Sequence, residues 1–83
     1  MSLLRLIVSA DALNESPAPI LIGVQIVDQD PTSLLAPLID PHGWAVVTTV
    51  ERVLRSRLGE SVGTASDEEM EQVDVALRAA LNL

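Results

Sequence analysis

The sequence predicts a β-rich α+β fold, strands first and a single helix last. Two observations carry it. Short aliphatic and β-branched runs recur along the first 50 residues, separated by clusters of Pro, Gly, Asp and Asn. Only the last 18 residues switch to helical spacing of their apolar side chains. With 83 residues, 48% of them hydrophobic, the chain is one foldable domain, residues 1–83.

"LLRLIVS", residues 3–9, is a mostly buried strand interrupted by Arg5. "ADALNESPAP" follows as a loop with room for one helical turn. "ILIGVQIV", residues 20–27, is apolar on both faces and therefore central, with Gly23 suited to a bend or bulge. "DQDPTS", residues 28–33, is a polar loop, and "LLAPLI" is a short edge strand, confined there by Pro37. "DPHG" is a β-turn with Pro41 at its second position. "WAVVTTV", residues 44–50, is the next strand, rich in residues that suit a pleated surface.

The stretch 50–60 then turns into the helix. Ser66 and Glu69 form a capping box, and Asp67, Glu68 and Glu69 suit the positive end of the helix dipole. Met70, Val73, Leu77 and Leu81, with Ala80 beside them, make an apolar stripe on a helix over 67–81. Asp74 and Arg78 are an i, i+4 pair. Met70 and Leu77 are the expected anchors on the sheet.

The formal charge is −7 and the pI about 4.3. Such a chain repels phosphate at long range, so nucleic-acid binding needs a local basic patch. One patch exists in sequence: Arg52, Arg55 and Arg57 hold three of the five positive charges. The competing account is ion pairing with Glu51, Glu60 and the acidic helix cap. Trp44 is the only aromatic residue, so stacking platforms for single-stranded nucleic acid are nearly absent. There is no cysteine and no cluster of metal ligands, and no apolar run reaches the ~18 residues of a membrane span. A reducing, cytoplasmic setting and no membrane partner are expected. Nothing staples so small a domain, so a homodimer is the expected way to enlarge its core.

"RLIVSADALN" resembles the strand and loop near the start of MazF/PemK toxins. "RSRLGESVGTASDEEMEQVDVALRAALNL" resembles that family's C-terminus, where Met70, Val73, Asp74, Ala76, Leu77, Leu81 and Leu83 occupy the family pattern. The resemblance implies a small, strongly bent SH3-like or MazF-type β-barrel with a C-terminal helix, assembled as a homodimer. It implies a toxin of a type II toxin–antitoxin pair, held by a cognate antitoxin peptide. Most members cut single-stranded RNA with neither metal nor cofactor. "RLIVSAD", "GWAVVTTV" and "LGESV" also have counterparts in the CcdB-like gyrase poisons. The alternative is therefore a gyrase-directed toxin, or an inactive remnant that still binds antitoxin.

The sequence departs from the pattern in ways that bear on activity. The usual first strand and its loop are missing, so the chain is N-terminally short. The family's key Arg falls on Leu3 and its key Thr on Ile26. The Arg-x-Asp motif of PemK-type members falls on Pro41 and Gly43, with His42 between them. The gyrase-engaging Trp-Gly-Ile tail is absent, since the chain ends "ALNL".

Weak or no ribonuclease activity is expected. RNA cleavage of this type needs a base for the 2′-hydroxyl, an acid for the leaving 5′-oxygen and a cation for the phosphorane. Arg5 is the candidate for the cation, because it lies two residues past Leu3 on the same strand face. His42 is the candidate acid or base. Thr48, Thr49, Arg52, Arg55 and Arg57 are candidate RNA or partner contacts. Ordinary roles compete for each: a solvent-facing turn for His42, cover of the sheet edge for Arg5, β-propensity for the threonines.

Overall fold

The computed structural model describes residues 4–59 and 61–82. Leu3, Glu60 and Leu83, named above, lie outside the described residues. The elements run β1 (Arg5–Ile7), α1 (Asp11–Glu15), β2 (Ile20–Val27), β3 (Leu38–Ile39), β4 (Gly43–Leu54), a 3-10 turn (Arg55–Arg57) and α2 (Asp67–Leu81). The strands form one antiparallel sheet in the order β1-β2-β4-β3. The β-rich architecture with one main C-terminal helix is as expected.

β4 sets the shape. It runs to Leu54, four residues past the expected end at Val50. Its register against β2 jumps: Gly23 faces Glu51, but Gln25 faces Val46. Four residues of β4 thus oppose Val24 alone, a wide irregularity of the β-bulge type that bends the strand. Gly23 sits beside it, where a Cβ would come within 3.0 Å of Val53 Cγ2 and 3.1 Å of the Leu6 carbonyl. Thr49 closes the gap in the ladder. Its hydroxyl accepts from the Gln25 N–H at 2.9 Å and donates to the Val46 carbonyl at 2.6 Å.

α2 packs on one face of this sheet. The core is Val24, Ile39, Ala45 and Val47 from the strands with Val73 and Ala76 from the helix. Burying an aliphatic side chain of this size contributes about 1.5–3 kcal/mol. The expected helix stripe is corrected here. Val73 and Ala76 are the buried pair, Met70 and Leu77 are half-buried, and Leu81 and Ala80 are exposed. The sheet presents small and β-branched side chains, so the helix approaches closely and Ala76 fits where a longer residue would not.

The helix ends follow the sequence signals. Ser66 Oγ accepts from the Glu69 N–H at 3.1 Å, and Glu69 Oε1 accepts from the Ser66 N–H at 2.8 Å, completing the capping box. Asn82 takes a left-handed conformation, φ 58°, at the C-cap, which its short polar side chain tolerates. Asp74 and Arg78 meet at 3.1 Å, but both are exposed and the pair contributes only about 0.3–0.5 kcal/mol.

Two shorter segments differ from expectation. The edge strand is only two residues long, because Pro37 and the turn before it take up the rest of 34–39. The turn at "DPHG" begins one residue earlier than expected. The His42 N–H donates to the Ile39 carbonyl at 2.7 Å, so Pro41 occupies the third position of the turn, with a cis Asp40–Pro41 bond.

Candidate nucleic-acid groove

The fold divides the arginine cluster. Arg52 is exposed on β4, while Arg55 and Arg57 lie in the 3-10 turn. Arg55 turns back over the α1 loop. Its Nε donates to the Ala18 carbonyl at 2.7 Å, and its Nη2 donates to Leu13 at 3.2 Å and Ser16 at 2.9 Å. Its backbone N–H donates to Pro19 at 2.7 Å. The guanidinium of Arg55 is therefore committed to caps and turns of its own chain.

Arg52 and Arg57 instead line a groove of about 840 Å³ with Arg5. Its walls are β1, the far end of β4 and residues 57–59 and 61–65. Asp11, Asn14 and Glu51 also line it. Among the described lining residues, three arginines stand against two carboxylates, a net +1, in a chain of net −7. Glu51, expected to pair with the 52–57 cluster, pairs across strands with Arg5 at 2.6 Å (Nε to Oε1). Among the described residues, neither Arg52 nor Arg57 has a carboxylate partner.

The other candidates lie elsewhere. Thr48 is exposed on β4 and Thr49 is the bulge clamp, and neither lines the groove. His42 is half-buried against Gly63, where a Cβ on that glycine would meet its Nε2 at 3.0 Å. Gly63 lines the groove but His42 does not. Among the described residues no three His, Asp or Glu side chains come close enough to hold a metal ion.

Beside His42, Glu69 joins the turn to the helix. Its Oε2 accepts from the Asp40 N–H at 2.7 Å. The backbone N–H of Ser66, then that of Asp40, hold the carboxyl below its ordinary value, and His42 adds a weaker attraction. A depressed carboxylate contributes stability that is present above its unfolded value of 4.5 and is lost as pH falls through the folded value. Melting of the parent and Glu69→Gln is therefore expected to differ at pH 7 and to converge as pH falls below 4.5 and through the depressed folded value. Equal melting temperatures at pH 7 would contradict this.

The sequence as a whole settles the family. A model of the PemK-like, MazF-like toxins of type II toxin–antitoxin systems matches residues 4–81. The chain belongs to this toxin family. Solved structures share its fold. An endoribonuclease from a mycobacterial species, seen in complex with its cognate antitoxin, is 24% identical over 95% of this chain and 80% of that one, with a TM-score of 0.86. A MazE–MazF structure from Deinococcus radiodurans is 17% identical over 95% and 81%, with a TM-score of 0.82. No curated protein is similar enough to this chain to count as a match.

The PemK/MazF-like residues of the first strand and loop have visible work in this toxin. Asn14 Nδ2 donates to the Ser9 carbonyl at 2.8 Å, and Ser9 Oγ donates to Asn14 Oδ1. Together they hold α1 against the end of β1. Ile26, at the family's Thr position, packs against the core cluster, so no donor from that position reaches the groove.

Proposed function

We propose that this toxin acts on single-stranded RNA, and that it does so as a slow endoribonuclease through the groove lined by Arg5, Arg52 and Arg57. The supporting observation is the collection of three of the chain's five positive charges along one concave surface of an otherwise acidic protein. Phosphates entering there would meet these cations at short range, where a local basic patch can offset long-range repulsion. The family match favours RNA over the gyrase-directed alternative, which rests on the counterparts of "RLIVSAD", "GWAVVTTV" and "LGESV".

The chemistry explains the slowness. At the family's Arg and Thr positions stand Leu3 and Ile26, which donate nothing to a phosphorane. Losing one preorganised donor to a developing oxyanion costs ~10²–10³ in rate. Incubating a long single-stranded RNA with purified protein in EDTA should give slow cutting, weakened about tenfold or more in Arg52→Ala/Arg57→Ala through KM. RNA left intact over hours by an excess of parent protein would sink the reading.

A cognate antitoxin is the partner that fits this role, as the mycobacterial neighbour is seen with its own. A second copy of the chain is the other. Ile20, Ile22 and Leu54 are 36%, 41% and 43% exposed where β2 meets the end of β4, an aliphatic strip suited to self-association. Light scattering that finds only an 8.9 kDa species would remove the homodimer. No described helix is long and apolar enough to cross a membrane; a cytoplasmic setting is the one in which an RNA target would be met.

A further inference from the structure

We propose that Glu51 is the general base of the groove and that Arg5, held against it, stabilises the phosphorane. This rests on the RNA-directed reading and names residues that the family pattern does not supply. Arg5 comes from β1 and Glu51 from β4, 46 positions apart in sequence, and β2 separates their strands. They meet because Gly23 stands between them. Arg5 pairs with Gln25, and Ile7 with Gly23, which in turn faces Glu51. A glycine puts no side chain in the path from Arg5 to Glu51 across the middle strand.

The pair is also reachable. The Arg5 side chain is 24% exposed and that of Glu51 39%, and both line the groove. One Glu51 oxygen takes the Arg5 Nε–H. The second oxygen makes no hydrogen bond among the described residues and is left to accept a proton. Arg5 uses its Nη1 only in a long 3.4 Å contact with the Leu4 carbonyl, so its outer N–H groups remain for a phosphate oxygen. Among the described residues the groove has no histidine in its lining, and its other carboxylate, Asp11, comes from α1.

The step balances without a co-reactant other than water. Glu51 takes the 2′-hydroxyl proton as the 2′-oxygen forms a bond to the adjacent phosphorus. Arg5 donates to the non-bridging oxygens as charge builds there. The bond from phosphorus to the 5′-oxygen breaks, and that oxygen takes a proton from water. The resulting hydroxide is neutralised by the proton on Glu51, which restores the carboxylate. The products are a 2′,3′-cyclic phosphate and a 5′-hydroxyl. In-line geometry puts attacking and leaving oxygens on opposite sides of phosphorus, so Glu51 serves only the first. The absence of a placed acid among the groove residues keeps the reaction slow.

The test compares parent, Glu51→Gln, Glu51→Asp and Arg5→Lys on single-stranded RNA at pH 7. Initial rates are read beside melting temperatures. Glu51→Gln should lose ~10²-fold or more in rate, while Glu51→Asp, which keeps a carboxylate one methylene shorter, cuts more slowly than the parent and faster than Glu51→Gln. One 2′-deoxy substitution at the cut site should abolish cutting there. Parental rates from a folded Glu51→Gln, or cutting at the 2′-deoxy site, would overturn the assignment and leave the RNA-directed reading standing. Should Glu51→Gln not fold, a folded Glu51→Asp that cuts at the parental rate overturns it equally. No cutting by the parent would overturn both.

Discussion

Gly43→Ala is expected to unfold a large share of the population. Gly43 is buried where β3 turns into β4, with φ at +130°, a region that side chains with a Cβ rarely enter. A Cβ there would lie 2.2 Å from the Val27 carbonyl oxygen and 3.2 Å from Ile26 Cγ2. The first neighbour is backbone, so relief requires the end of β2 to move. That movement breaks the Trp44–Val27 register and disturbs Ala45, which is fully buried. Backbone strain and overpacking together cost about 2–6 kcal/mol. A domain of this length has only some 4–12 kcal/mol in total. Thermal melting followed by circular dichroism should show a midpoint lower by about 10 °C or more. A midpoint within two degrees of the parent would show that the turn adapts.

Arg55→Ala is expected to release the α1 loop. Four hydrogen bonds from this residue, three of them from its guanidinium, hold the carbonyls of Leu13, Ser16, Ala18 and Pro19. Hydrogen bonds to a charged donor contribute about 1.5–3 kcal/mol each when buried. Here the side chain is only half-buried and water replaces part of what is lost. A net loss of about 2–4 kcal/mol follows. Lysine cannot reproduce it, because a single ammonium lacks the fork that reaches separate carbonyls. Amide hydrogen exchange should accelerate across residues 11–19 in Arg55→Ala and, to a lesser degree, in Arg55→Lys. Unchanged protection in both would mean that Ser9 and Asn14 hold the loop alone.

What the sequence made legible follows from how local each signal is. The C-terminal helix was readable from Ser66 to Leu81 because its capping box and apolar period lie within one element. Of its two buried anchors, Val73 lay in the predicted stripe and Ala76 did not, because Ala76 is buried by the closeness of the sheet and alanine carries no signal for that. Gly23 pointed to a bulge, and one is there. That Thr49 would clamp it was invisible, since a threonine on a strand is unremarkable until its neighbour lacks a ladder partner. β4 looked shorter than it is because Glu51 and Arg52 interrupt an aliphatic run, although Val53 returns to the buried face.

The groove shows the same limit more sharply. Closeness in sequence grouped Arg52, Arg55 and Arg57, and the fold separates them. Arg55 turns inward to carbonyls, Arg52 and Arg57 face the groove, and Arg5 joins them from another strand. Only strand pairing brings Arg5 and Glu51 together. His42, chosen for its chemistry, is placed by its turn against Gly63. Residue type told which side chains could act. Topology decided which of them share a surface.

The central claim is that Arg5, Arg52 and Arg57 form one phosphate-binding surface, and the salt dependence of RNA binding tests it most directly. The measurement is the affinity of a 2′-O-methyl single-stranded oligonucleotide, which cannot be cut, for parent and Arg52→Ala/Arg57→Ala from 50 to 200 mM salt. Three phosphate contacts predict a slope of log affinity against log salt near −2 for the parent and, with one contact left, about −0.7 for the double variant. Equal slopes and equal affinities for the two proteins would contradict the account.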